Sequence, residues 1–239
     1  MINTNKNHET NQKLRSLYKD YNKDFLEMWQ KHYKEVPPCR INEFGIINPE
    51  KYDSDNGILF ICRETNGWSN EDFDANHLFL DWIRNISING LSREVGIVKK
   101  HPKIWYNIGR SAEIINGASI DEALKHKSEA LKSVGSIAYT NINKVRGKEK
   151  SEKAYWSLCN EKLTIELLIK EIEIIKPKYI VLCDMYFDKL SIEYINANMN
   201  SDCCPALIEC LQNNRLIIMP HPSSRMNLKK MFGLLEEQL

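Results

Sequence analysis

The stretch Tyr179–Cys183 reads YIVLC and is the clearest short apolar run in the chain. A run of this kind, placed just after Pro177, is typical of a strand buried on both faces of a parallel sheet. Three similar runs predict three more strands: Gly57–Cys62 (GILFIC), Ser136–Asn141 (SIAYTN) and Arg215–Met219 (RLIIM). Because helical patterns separate these runs, we predict an α/β fold, a three-layer sandwich with a central, mostly parallel four-stranded sheet.

The residues before this sheet predict an added helix. Between Leu14 and His32 the apolar positions recur every three or four residues, which indicates an amphipathic helix, and Val36-Pro37-Pro38 stops it. Residues 1–12 are polar and rich in Asn, so we expect a flexible tail. We predict that residues 13–239 form one domain, since 239 residues, 42% of them hydrophobic, suffice for one sizeable core.

The bulk composition narrows the class of protein. No run approaches the ~18 apolar residues of a membrane span, and the first residues lack the apolar core of a secretory signal. The seven cysteines form no CxxC pair, so we expect a reduced, cytoplasmic protein without disulfides, metal or cofactor. The net charge of +1 means that any nucleic-acid site is a local patch on a balanced body. We expect a monomer.

Polar side chains follow three of the predicted strands. Arg63 and Glu64 follow the first, Asn141 ends the second, and His221 lies two residues after the fourth. Ligands of open parallel sheets bind beyond the carboxyl ends of the strands, so we expect these side chains to meet. An acid, an amide and an imidazole suit hydrolysis of an N-glycosidic bond. The carboxylate supports the sugar cation and places a water, a donor stabilises the departing base, and the amide reads the base edge.

Three segments resemble signature segments of the uracil-DNA glycosylase superfamily and follow the same order. They are Ile58–Asn66 (ILFICRETN), Tyr139–Lys144 (YTNINK) and Met219–Arg225 (MPHPSSR). The resemblance implies a uracil-DNA glycosylase-like fold and a monofunctional DNA glycosylase that flips a pyrimidine out of DNA, hydrolyses its bond to the sugar and leaves an abasic site. It implies that Glu64 positions the water, Asn141 reads the base and His221 stabilises the leaving base. No Lys is placed to form a Schiff base as a lyase would.

The first segment departs from the family pattern. Family members usually carry Gly where Cys62 stands, Gln or Glu where Arg63 stands, and Pro where Thr65 stands. Uracil-specific members carry a Tyr at the position of Asn66, which blocks 5-substituted pyrimidines, whereas Asn66-Gly67 leaves that side of the pocket open. We therefore expect a 5-modified pyrimidine as the substrate, including a hypermodified cytosine as attacked by a branch of glycosylases that acts on phage DNA.

Two other functions remain open. The amide of Asn141 can face either way, so it could pair with the uracil edge or with the cytosine edge. The protein could thus be a uracil-DNA glycosylase of base-excision DNA repair rather than an enzyme of antiviral defence. A third interpretation is a catalytically inactive DNA-binding module of the same fold. A nucleotide-processing enzyme would need a Gly-rich phosphate loop, and neither GxGxxG nor a P-loop occurs.

The remaining site residues are assigned by their positions. Phe73 is the expected stacking aromatic with Trp68 as the second choice, whereas Phe79 has the helical spacing of a core residue. Arg63 and Asn66 are expected to line the base site, and as an ion-pair partner Arg63 would lower the pKa of Glu64. Two groups are expected to contact DNA: the basic loop with Lys144, Arg146 and Lys148, and the segment with Ser223, Ser224, Arg225 and Met226. The structural alternatives are a solvated basic turn and a cap for the last helix.

Overall fold

The computed structural model describes residues 2–37, 40–63, 65–66, 79–90, 102–147, 153–183, 188–199 and 201–239. Its strands are β1 (Gly45–Ile46), β2 (Ile58–Cys62), β3 (Thr65–Asn66), β4 (Ala138–Asn141), β5 (Arg146–Gly147), β6 (Tyr179–Cys183) and β7 (Leu216–Met219). Five of them form the main sheet in the order β1-β4-β2-β6-β7, and β3 and β5 form a small second sheet. All four predicted strands are present and parallel to one another.

The prediction of a four-stranded sheet is wrong by one strand. The short strand β1 pairs with β4 in the antiparallel direction, so the sheet is mixed and has five strands. Two residues are too short a run to give a strand pattern of their own. The α/β class is confirmed, because the other four strands are joined by helical crossovers.

Helices lie on both faces of this sheet. They are α1 (Thr4–Tyr33), α2 (Phe79–Asn89), α3 (Pro102–Ile115), α4 (Ile120–Lys125), α5 (Lys127–Ser133), α6 (Lys153–Cys159), α7 (Lys162–Ile175), α8 (Ile192–Asn198), α9 (Pro205–Gln212) and α10 (Leu228–Glu236). Side chains alternate along β4 between the two faces. Thr140 bonds to Glu171 of α7 on one face. Tyr139 packs against Phe79 of α2 and Trp105 of α3 on the other.

The first helix begins earlier than the sequence predicts. It starts at Thr4, and the buried amides of Asn7 and Asn11 tie it to the chain around β1. Asn11 donates to the carbonyl of Ile46 at 2.8 Å and accepts from its N–H at 2.9 Å, so the amide occupies the outer edge of β1. The prediction of a flexible tail is therefore wrong for residues 4–12, because their polar side chains satisfy buried backbone groups.

Buried side chains from α1 through α10 belong to one hydrophobic cluster. Phe79 is buried within it, as its helical spacing predicts. Within the described ranges, no helix is long and apolar enough to cross a membrane.

Candidate active site

The last residues of four parallel strands form one row along the carboxyl-end rim of the sheet. Cys62 pairs with Asn141, and Cys183 pairs with Met219. The pairing of Ile61 with Leu182 places Cys62 beside Cys183. Side chains paired directly across strands point to the same face, so all four members of the row face α3. Ser111 of α3 confirms this for Met219, because its hydroxyl lies 3.7 Å from the Met219 sulfur.

The first two signature segments run side by side beyond the sheet. The Ile142 N–H donates to the Cys62 carbonyl at 2.9 Å, and the Asn143 N–H donates to the Arg63 carbonyl at 2.9 Å. The pairing continues where β3 meets β5, with Thr65 opposite Arg146. The topology thus joins the two segments that were predicted to meet.

Several predicted site residues lie outside the described residues. They are Glu64, Trp68, Phe73 and Lys148. The backbones of Asn66 and Arg146 are placed by the small second sheet, while their side chains also lie outside the described part. Their roles therefore remain predictions.

Asn141 has a buried amide with one unfilled hydrogen-bonding group. Its side chain is fully buried, and its Oδ1 accepts from the Tyr139 hydroxyl at 2.9 Å. Its Nδ2 is also buried and meets no acceptor in the part of the chain that the structure describes. A buried donor without a partner costs roughly 1–3 kcal/mol, and such a group at a strand end calls for an explanation. A ligand that offers an acceptor would remove this cost.

Lys144 is buried instead of belonging to an exposed basic loop. It is 1% exposed, and its Nζ lies 2.7 Å from the Glu171 carboxylate and 2.7 Å from the Thr140 hydroxyl. It also donates to the backbone carbonyl of Asn141. Tyr18 donates to the other Glu171 oxygen at 2.5 Å. The prediction that Lys144 contacts DNA phosphates is therefore wrong, because its charge is neutralised inside the protein.

Burial and charge together set the protonation of this network. Burial lowers the pKa of Lys144, and the neighbouring Glu171 carboxylate acts in the opposite direction. Burial first, and then the Glu171 carboxylate, raises the pKa of the Tyr18 hydroxyl well above its usual range. The network bonds to the backbone carbonyl of Asn141 and to the side-chain hydroxyl of the preceding Thr140. It therefore fixes where the unfilled amide lies.

His221 is held in one tautomer by the residue that follows its proline. The Ser223 N–H lies 3.2 Å from His221 Nδ1, and the Ser223 hydroxyl lies 2.7 Å from the same atom. A backbone N–H can only donate, so Nδ1 is an acceptor and the ring proton is on Nε2. Nε2–H is the donor that the predicted role of His221 requires.

The His221 loop is anchored to α3. The buried Asn107 amide donates to the Pro222 carbonyl at 2.6 Å, and the Lys103 ammonium donates to the Ser224 carbonyl. These bonds fix the loop backbone on the same face of the sheet as Asn141. Sequence reasoning missed Asn107, although a polar residue on the apolar face of α3 was a signal for it.

The predicted DNA-contacting segment after His221 is at the surface. Ser223 and Arg225 are exposed, and Ser224 and Met226 are half-buried. The cap of α10 is Asn227, whose Oδ1 accepts from the Lys229 N–H at 3.0 Å. The Ser223 side chain is thus occupied with His221, and its alternative role as the cap of the last helix is excluded.

Arg63 lies beside an exposed aromatic residue. Its guanidinium is 5.3 Å from the ring centre of Trp156 on α6, and Trp156 is 48% exposed. Arg63 is the next residue in the chain after Cys62, which belongs to the row at the rim. The predicted neighbour Glu64 lies outside the described residues, so their ion pair stays a prediction.

The site residues span the rim of the sheet. Asn141 and Met219 lie three strands apart, which is ~14 Å at about 4.8 Å per strand. Cys62 and Cys183 lie between them in this row. The structure therefore brings Asn141 and the first segment together and places the His221 loop at the other end of the same row and face.

Comparisons with known proteins found no match for this chain. No protein-family model matches the chain, and neither a curated protein nor a solved structure matches it. Among the residues that the structure describes, no group of three or more His, Cys, Asp or Glu side chains could hold a metal ion.

Proposed function

We propose that this protein is a monofunctional DNA glycosylase that flips an altered pyrimidine out of DNA and hydrolyses its bond to the sugar. The observation that carries this proposal is the buried, unfilled Nδ2 of Asn141 at the end of a central strand. Enzymes that flip bases read them by hydrogen bonds to their edges inside a pocket. The donor lies on the same rim and the same face as the loop that presents His221.

Each residue of the proposed site has a distinct role. Asn141 donates to the flipped base, and the Nε2–H of His221 stabilises negative charge on the departing base. Glu64 positions the attacking water and supports the cationic sugar, and Phe73 stacks on the base. Arg225 and Met226, which follow the His221 loop, contact the duplex.

The environment of Lys144 supports hydrolysis without a covalent intermediate. A lyase needs an accessible, deprotonated lysine that attacks the sugar. Lys144 is the lysine bonded to Asn141, yet it is buried and paired with Glu171. It is therefore not available as a nucleophile, and we propose an abasic site as the product.

We propose a 5-modified pyrimidine as the substrate. In the superfamily that the sequence resembles, uracil-specific members carry a blocking Tyr where this chain has Asn66-Gly67, so we expect the side of the pocket next to the 5-position to be open. A hypermodified cytosine of phage DNA fits this expectation, and the enzyme would then act in antiviral defence. Release of uracil alone would instead indicate DNA repair.

The test uses matched duplexes that carry one 5-hydroxymethylcytosine, uracil or unmodified cytosine. Abasic product is measured by alkaline strand cleavage under single-turnover conditions. We expect the wild type to release 5-hydroxymethylcytosine and Asn141→Ala to be slower by about 10- to 100-fold, the value of one buried hydrogen bond. Asn213→Ala is the control, because its exposed amide lies at the end of α9 and, within the described residues, bonds to the Glu209 carbonyl of the same helix turn.

A second variant separates chemistry from binding. Glu64→Gln should reduce the rate of base release far more than the affinity for DNA, and equal loss of both would contradict its role. Tight DNA binding by the wild type with no abasic product from any duplex would identify an inactive DNA-binding module. Absence of both binding and release would overturn the proposed function.

A further inference from the structure

We infer that Tyr139 is a specificity-determining residue, because its hydroxyl occupies the oxygen of the Asn141 amide and leaves the Nδ2 hydrogens, rather than the oxygen, to pair with the base. This inference rests on the proposed function. Tyr139 and Asn141 are two residues apart on β4, so their side chains lie on the same face. The Tyr139 hydroxyl lies 2.9 Å from Asn141 Oδ1.

The Tyr139 ring cannot readily move away from this bond. It packs against three aromatic rings, with ring centres at 6.0 Å for Phe44, 5.8 Å for Phe79 and 5.3 Å for Trp105. These rings come from the loop before β1 and from two helices, and all of them are buried. Close packing of this kind leaves few alternative rotamers. The packing therefore fixes the position of the Tyr139 hydroxyl, to which the Asn141 amide is bonded.

The hydroxyl also keeps its proton. Burial first, and then the nearby Cys62 and Cys183 thiols, raises the pKa of Tyr139 well above its usual range. Its O–H is therefore a donor at any working pH and bonds to the better acceptor, the amide oxygen. This bond fills a lone pair of Oδ1 and leaves the two Nδ2 hydrogens as the group without a partner in the described structure.

A donor in this position selects among pyrimidine edges. A 4-aminopyrimidine offers two adjacent acceptors, the N3 lone pair and O2, to the two hydrogens of Nδ2. A 4-oxopyrimidine can accept from Nδ2 at one carbonyl, O2 or O4, but it carries a hydrogen on the adjacent N3, and this hydrogen would face the second hydrogen of Nδ2. A site built around a hydrogen bond rejects a base that leaves its polar groups unpaired. Tyr139 thus favours cytosine-type over uracil-type bases that carry the same 5-substituent.

The experiment compares two duplexes that differ only at the 4-position of the base, 5-hydroxymethylcytosine and 5-hydroxymethyluracil. Single-turnover release rates give their ratio for the wild type and for Tyr139→Phe. We expect the wild type to prefer the cytosine base by at least about 10-fold. In Tyr139→Phe the ring packing is kept and the amide can rotate, so this preference should fall to about threefold or less.

Tyr52→Phe is the matched control. Tyr52 is as buried as Tyr139, and its hydroxyl has no hydrogen-bond partner in the described ranges, so its loss should leave the ratio unchanged. Asn141→Asp provides a test that does not depend on the folding of Tyr139→Phe. It replaces the donor by acceptor oxygens and should invert the preference towards the base with a hydrogen on N3.

The outcomes separate this inference from the proposed function. If the wild type releases neither base from any duplex, the proposed function fails and the inference fails with it. If the wild type releases base but prefers 5-hydroxymethyluracil, or if folded Tyr139→Phe keeps the wild-type ratio, the inference alone is overturned. An unchanged preference in Asn141→Asp would overturn it equally.

Discussion

Removal of the Lys144 ammonium is expected to destabilise the site strongly. Its ammonium has three partners inside the protein: Glu171 at 2.7 Å, the Thr140 hydroxyl at 2.7 Å and the Asn141 carbonyl. Lys144→Met keeps much of the side-chain volume but leaves the fully buried Glu171 carboxylate without its counter-charge. Loss of one partner from a buried ion pair costs about 3–5 kcal/mol. We expect this loss in the free energy of unfolding.

The second half of this prediction concerns the pair as a unit. Glu171→Gln in the Lys144→Met background removes the remaining charge and keeps an amide oxygen that accepts from the Tyr18 hydroxyl, so no buried charge is left without a partner. The double variant should recover at least about 2 kcal/mol relative to Lys144→Met, which is a coupling typical of residues in contact. The recovery distinguishes an uncompensated charge from a packing defect.

The assay is equilibrium unfolding in urea at pH 7, monitored by circular dichroism and tryptophan fluorescence. Lys132→Met is the control, because Lys132 pairs with Glu129 at 2.9 Å on the protein surface, where solvent screens the pair, and it should leave the free energy of unfolding nearly unchanged. A loss of under ~1 kcal/mol for Lys144→Met would refute the buried pair and return Lys144 to the exposed basic loop that the sequence predicts.

Two more changes test how the site is supported. Asn107→Ala removes the donor to the Pro222 carbonyl, so it should lower the free energy of unfolding by about 1–3 kcal/mol. It should also slow base release, because the His221 loop is displaced. Ser111→Ala, one turn further along α3, is the milder control. Release at the wild-type rate would show that this anchor is not needed. Gly109→Ala would place a Cβ 1.7 Å from the Ala130 carbonyl oxygen and should lower the stability measured by thermal unfolding by at least about 1–3 kcal/mol. In Gly233→Ala the new Cβ meets nothing within 4 Å, so this control should be neutral or slightly stabilising. Equal melting temperatures for the two variants would contradict the close approach of α3 to α5.

The sheet could be predicted because its information is local. Four continuous apolar runs give the four parallel strands, and each run needs only its own residues to be recognised. β1 could not be predicted in this way, since a pair of residues becomes a strand only through β4 and the Asn11 amide. The start of α1 was missed for the same reason, because polar side chains are bound by distant backbone groups.

The site, too, could be predicted from the sequence only in part. The rim positions of Asn141 and of the His221 loop follow from the rule that parallel strands present their carboxyl ends together. The burial of Lys144 depends on Glu171, which is 27 residues further along the chain and belongs to the inward stripe of α7. The anchor from Asn107 to Pro222 spans 115 residues. No local pattern contains either contact.

Mass spectrometry of the bases that the purified protein sets free from genomic DNAs of differing modification would measure its chemistry without a prior choice of substrate. We expect a free 5-modified pyrimidine from modified phage DNA, in equal number to the abasic sites left behind, and none from the same DNA treated with Glu64→Gln. Intact bases in every DNA, at protein concentrations that saturate DNA binding, would contradict a glycosylase.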